Sequence, residues 1–229
     1  MKNKKFVFTL FLSFFIGLSS FAQSWANLER YQNDNAKLGA PKPGENRVVF
    51  MGNSITDAWI HVSPDFFSDK PYIDRGISGQ TTPQMLARFR PDVINLKPAV
   101  VLILAGTNDI AGNTGPSTLE MIMDNIISMT EIAKANHIKV ILCSVLPAYK
   151  YSWRPEVEPA EKIVELNKMI KNYAGNNGII YLDYFSHMVN EQNGLKKELS
   201  GDGVHPNLAG YKIMEPLAEK AIKKVLNQK

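Results

Sequence analysis

Val48-Val49-Phe50-Met51-Gly52-Asn53-Ser54-Ile55 joins an uninterrupted apolar run to a short polar turn. Successive apolar residues without polar alternation read as a strand covered on both faces, here Arg47 to Met51. Gly52 and Asn53 end the strand, and Ser54 stands where it gives way to a helix. A serine at that junction has a fixed backbone and an exposed hydroxyl, the placement that nucleophilic catalysis needs.

The same pattern recurs along the chain. Tyr72-Ile73-Asp74 is a short strand ahead of Gly76-Ile77-Ser78-Gly79, and Ala99 to Ala105 is a strand ahead of Gly106-Thr107-Asn108-Asp109. Ile138 to Val145 and Gly178 to Leu182 complete the set. Helical segments lie between and after them. Ser117-Thr118-Leu119-Glu120 has a capping-box pattern ahead of Ile122, Ile126, Met129 and Ala133 at helical spacing. Pro159 opens a helix with the stripe Ile163, Leu166, Ile170 and Tyr173, and Asn207 caps a last one, which Pro216 is expected to kink or restart. Strand-helix alternation with short connections predicts an α/β fold, a parallel sheet between two helix layers. Right-handed crossovers then gather the segments after the strands at one edge of the sheet.

Asp202-Gly203-Val204-His205 supplies a partner for the serine. A neutral imidazole at His205 can take the hydroxyl proton and return it to a leaving group. Asp202, three residues earlier, can reach the other ring nitrogen, fix its tautomer and stabilise the imidazolium. The backbone N–H of Ser54, that of Gly79 and the side-chain amide of Asn108 are candidate donors to a developing oxyanion. Read singly, each segment is also compatible with a turn or a helix cap; their convergence on one edge is the stronger sign.

In order and context these four segments resemble the sequence blocks of the SGNH (GDSL-type) esterase and lipase superfamily, over essentially the whole chain after its first 22 residues. The resemblance implies a three-layer α/β/α flavodoxin-like fold with a five-stranded parallel sheet. It implies a triad of Ser54, His205 and Asp202, an oxyanion hole from Ser54, Gly79 and Asn108, and no metal or organic cofactor. Asn53 departs from the family's aspartate; its carbonyl can make similar turn contacts, but it cannot carry the charge.

The first 22 residues read as an export signal. Lys2, Lys4 and Lys5 precede the thirteen apolar-rich residues Phe6 to Leu18, and Ser20-Phe21-Ala22 offers small residues to a signal peptidase. The apolar stretch is shorter than the roughly 20 residues of a bilayer span. The expected organisation is a signal peptide over 1–22 and one hydrolase domain over 23–229, exported to a periplasm or the medium, with no membrane insertion after cleavage. Loss of the three lysines takes the formal charge from +4 to +1. Basic residues are scattered and not interleaved with aromatics, so no nucleic-acid partner is expected. The single cysteine, Cys143, lies in an apolar run and reads as a buried thiol. No His, Cys or carboxylate set has metal-ligand spacing.

The segment after the fourth strand, Tyr149-Lys150-Tyr151-Ser152-Trp153-Arg154, bears on the substrate. Tyr149, Tyr151 and Trp153 could stack on sugar rings, and Arg154 could bind a carboxylate or phosphate. An ordinary packed loop is the competing reading. His61 and His187 read as surface or packing residues, His137 as a helix end, Asp57 as a charge favouring its own helix N-terminus and Asp183 as structural. The expected activity is removal of O-acetyl or other short acyl groups from a small-molecule or polysaccharide ester. A lysophospholipase or thioesterase with the same triad, a catalytically inactive carbohydrate-binding protein and a flavin-binding protein of similar topology are the alternatives.

Overall fold

The structure, a computed structural model, describes residues 25–228, so the segment read as an export signal lies outside the described residues. Five strands form one sheet: β1 (Val48–Gly52), β2 (Tyr72–Gly76), β3 (Val100–Leu104), β4 (Lys139–Cys143) and β5 (Ile180–Leu182). Their order is β2-β1-β3-β4-β5, and every pairing is parallel. Val48 is in register with Tyr72 on one side and Val100 on the other.

Both faces of the sheet are covered, which is why β1 and β3 show no polar alternation. Val49, Met51, Val101 and Ile103 pack with residues of α3 (Thr82–Asp92), α5 (Leu119–Ala135) and α6 (Ala160–Asn176). Val48, Phe50, Val100 and Leu102 face the other way, toward α2 (Ser54–Val62) and α8 (Leu208–Leu226). Trp59 of α2 stacks on Phe66 at 5.0 Å and on Tyr211 at 5.2 Å, filling that second core. Cys143 is buried within it, as its apolar run suggested. The remaining helices are short: α1 (Gln32–Leu38), α4 (Thr107–Ile110) and α7 (Phe185–Met188).

Three local details differ from the sequence reading. The cap of α5 is Thr118 rather than Ser117: its hydroxyl accepts from Met121 N at 3.3 Å, so Glu120 falls in the first turn, beside the positive helix end. Helix α8 runs unbroken through Pro216. That proline is on the solvent side, where water can satisfy the carbonyl it leaves unpaired, while Tyr211, Met214, Ala218 and Ile222 continue the buried stripe. Helix α3 has no counterpart in the sequence reading. It is opened by a capping box between Thr81 and Gln84, with Pro83 in its first turn.

Candidate active site

Parallel strands place the segments after β1, β2 and β3 at one edge of the sheet, and the turn before α8 folds over that edge. Ser54 Oγ lies 2.9 Å from His205 Nε2, across 151 positions of sequence. His205 Nδ1 lies 2.6 Å from Asp202 Oδ2.

Each of the three is held by its local structure. Ser54 is the first residue of α2, so its N–H is one of those that a helix leaves without an internal acceptor. A β-carbon on Gly52 would come within 2.0 Å of Thr56 Oγ1, so only glycine lets the helix start this close to the strand. The Asp202 turn is knitted by its own carboxylate: Oδ1 accepts from Ser200 Oγ at 3.1 Å, Val204 N at 2.9 Å and His205 N at 2.8 Å. Partial burial would raise the Asp202 pKa, but the hydrogen bonds from the His205 ring and from the His205 and Val204 amides outweigh it and hold the carboxyl well below its ordinary range. An ionised carboxylate only accepts, so the neutral imidazole carries its proton on Nδ1 and presents a lone pair at Nε2 to the Ser54 hydroxyl.

Gly79 and Asn108 meet through Gln80: Asn108 Nδ2 donates to the Gln80 carbonyl at 2.9 Å, which orients the buried amide beside the loop. Gly79 has φ +79°, a conformation that favours glycine. Asn53 is buried, but its Oδ1 has no hydrogen-bond partner among the described residues, so the expected turn contact through its carbonyl is not made.

The aromatic segment divides. Tyr149 and Trp153 are exposed, whereas Tyr151 is fully buried, with its hydroxyl 2.7 Å from Thr107 Oγ1. Tyr151 therefore cannot stack on a substrate; it lies against Trp153 at 4.8 Å. Trp153 in turn is 6.3 Å from the His205 ring. Arg154 keeps its side chain partly exposed, with Nη2 3.4 Å from the Gly112 carbonyl and Nη1 3.7 Å from Glu156. His61, His137 and His187 are all exposed. Asp183 caps a turn by accepting from Ser186 N at 3.0 Å.

Asp57 does more than favour its helix. Its Oδ2 accepts from Ser78 Oγ at 2.6 Å and Ser78 N at 3.2 Å, tying α2 to the loop that carries Gly79. The sequence reading also passed over Arg88, which is fully buried on α3. Its Nε donates to Gln80 Oε1 at 2.5 Å, Nη1 to Asp92 at 3.0 Å, and Nη2 to the carbonyls of Gly52 at 2.9 Å and Arg75 at 3.0 Å. One guanidinium thus joins the ends of β1 and β2 to the residue after Gly79. The i, i+4 pair Arg88/Asp92 beside Met85 and Phe89 was the available sign. Asp109 performs a similar task, accepting from Thr82 N at 2.9 Å and Thr82 Oγ1 at 2.6 Å at the start of α3. Among the described residues no group of three His, Cys, Asp or Glu is placed to hold a metal ion, and no helix is long and apolar enough to cross a membrane.

Two buried carboxyls give the fold a pH dependence. Asp74 accepts from Gly76 N at 2.7 Å while its Oδ2 has no partner among the described residues. Burial, opposed by that hydrogen bond, pushes its pKa up to about 7, and burial likewise takes Asp109 up to about 6. The folded protein keeps these protons where an unfolded chain, with pKa values of about 4, has lost them. Stability is therefore expected to fall as pH rises from about 4 to about 7. Asp74→Asn should make the urea midpoint less dependent on pH across that window; an unchanged slope would show that Asp74 does not titrate there.

The model of the GDSL-like lipase/acylhydrolase family matches residues 50–213, a range that contains Ser54, Gly79, Asn108, Asp202 and His205. An acetylxylan esterase of Xylanibacter ruminicola is 27% identical over 81% of this chain, which spans only 45% of that protein's length. Esterase TesA of Pseudomonas aeruginosa is 25% identical, over 72% of this chain and 78% of that protein. A solved structure of a GDSL-like lipase from Bacteroides thetaiotaomicron superposes with a TM-score of 0.86 at 52% identity, covering 88% of this chain and 99% of that one. Another solved structure, of a Bacteroides fragilis protein described as an acylhydrolase, gives 0.88 at 52% identity, covering 89% of this chain and 99% of that one. With its doubly covered parallel sheet and its ordered blocks at one sheet edge, the chain belongs to the GDSL-like lipase/acylhydrolase family.

Proposed function

We propose that this protein is an exported serine ester hydrolase that removes O-acetyl or other short acyl groups from carbohydrate, with Ser54, His205 and Asp202 as its triad. The observation that carries the reading is the 2.9 Å separation of Ser54 Oγ and His205 Nε2, with His205 backed by Asp202 at 2.6 Å. Ser54 Oγ attacks the ester carbonyl as Nε2 takes its proton. The resulting oxyanion is stabilised by the N–H groups of Ser54 and Gly79 and by the Asn108 amide. Collapse of the intermediate breaks the bond to the leaving alcohol, which receives the proton from His205 and departs, leaving an acyl-Ser54 ester. Water, deprotonated by the same imidazole, attacks that ester; the carboxylic acid leaves and Ser54 regains its proton.

The carbohydrate part rests on the acetylxylan esterase relative and on the exposed Trp153 beside His205. The export part rests on the pattern of residues 1–22. The test is a series of 4-nitrophenyl esters together with acetate release from acetylated xylan. The two-carbon ester should exceed the eight-carbon ester in kcat/KM by tenfold or more, and xylan should release acetate. Preference for the eight-carbon ester would favour a lysophospholipase or thioesterase with the same triad.

A further inference from the structure

Resting on the reading of Ser54 as nucleophile and His205 as its base, we infer that Trp153 is a rigid stacking platform for the sugar ring on the leaving-group side of the ester. Chemistry sets the side. The imidazole that takes the Ser54 proton must hand it to the leaving oxygen, so the alcohol part of the ester sits toward His205, while the carbonyl oxygen points to the oxyanion donors. The Trp153 ring centroid is 6.3 Å from that of His205, with the planes inclined by 33°. It therefore meets the alcohol part rather than the acyl chain.

The indole is held from two directions. One face lies on Tyr151 at 4.8 Å and 27°, and Tyr151 is itself buried and bonded to Thr107, the residue before Asn108. At its edge, Nε1–H donates to Asn113 Oδ1 at 3.2 Å, and the Nδ2 of the same amide donates to the Gly79 carbonyl at 3.1 Å. The two partners, an N–H and a C=O, fix which way that amide points. The indole is thus set in register with both the base and the loop of the oxyanion donor. It is nevertheless 39% exposed. A large aromatic surface fixed in place before substrate arrives loses little entropy on binding, and its electron-rich face suits the C–H bonds of a pyranose. The class of ligand this favours is an acylated pyranoside.

The experiment compares Trp153→Ala and Trp153→Phe with the unaltered protein on acetylated xylotriose and on ethyl acetate, whose leaving group has no ring. Trp153→Ala should lower the ratio of kcat/KM for the sugar ester over ethyl acetate at least tenfold, mainly by raising KM. Trp153→Phe should keep that ratio within about threefold of the original, because a flat apolar face remains. An unchanged ratio in Trp153→Ala, or an equal loss in the phenylalanine variant, overturns the platform. Calorimetric titration of xylotriose into Ser54→Ala separates this from the catalytic reading. Absence of binding overturns the platform alone, whereas continued ester hydrolysis by that variant strikes the nucleophile and leaves the binding result standing.

Discussion

Ser54→Ala is expected to lower kcat/KM on 4-nitrophenyl acetate by a factor on the order of 10⁴ or more, the scale lost when a serine nucleophile is removed from other triads. The fold should hardly notice. The variant loses one partly buried hydrogen bond to His205, worth about 1 kcal/mol, and opens no cavity in either core. Melting and near-ultraviolet spectra measured beside the kinetics will separate the two effects. A tenfold loss or less would mean that another group attacks the ester.

The largest expected effect on stability comes from a buried residue that lies behind the site and outside the triad. Arg88 and Asp92 form an ion pair at 3.0 Å with side chains 0% and 2% exposed. Arg88→Leu removes the paired cation and leaves a buried carboxylate with the Asn35 amide, 2.8 Å away, as its remaining hydrogen-bond partner among the described residues and the Arg75 guanidinium as a nearby charge. Breaking a buried pair in this way costs about 3–5 kcal/mol. The loss should be read from urea unfolding, and the double variant Arg88→Leu/Asp92→Leu should recover part of it, because the carboxylate stripped of its ion-pair partner is then gone as well. Activity should fall too, since the Gly52 carbonyl ahead of Ser54 and Gln80 next to Gly79 both lose the donor that positions them. A loss below about 1 kcal/mol, the scale of an exposed pair, would show that the pair does not behave as a buried one.

Much of the architecture was legible before any coordinates. Doubly covered strands leave an apolar run too plain to miss, and Val48–Met51 and Val100–Leu104 are the clearest. Their boundaries moved by one or two residues at most ends because ladder hydrogen bonds, not apolarity, terminate a strand; Ile138 to Val145 shortened to Lys139–Cys143 for that reason. Helix α3 was invisible because its inward face carries Arg88 and Asp92 among Met85 and Phe89, and two charges break the apolar periodicity.

Within the site, the residues separated by chemistry were readable and those separated by packing were not. Ser54, Asp202 and His205 could be paired because acyl transfer requires such groups. Nothing in a loop lacking periodicity distinguishes Tyr151, which turns inward, from Tyr149 and Trp153, which do not. The Asp57–Ser78 and Asn113–Trp153 contacts join residues 21 and 40 positions apart, so they exist only once the loops have converged. At Asn53, where the chain departs from the family's aspartate, the side-chain carbonyl could make a turn contact on the sequence alone, and it makes none among the described residues.

The central claim is that the Ser54 hydroxyl is made nucleophilic by the imidazole beside it. It is tested most directly by reacting the purified protein with a fluorophosphonate probe and locating the adduct by peptide mass spectrometry. Stoichiometric modification of the peptide containing Ser54, abolished in Ser54→Ala and strongly slowed in His205→Ala, is the expected result. No modification, or modification elsewhere that survives Ser54→Ala, would contradict it.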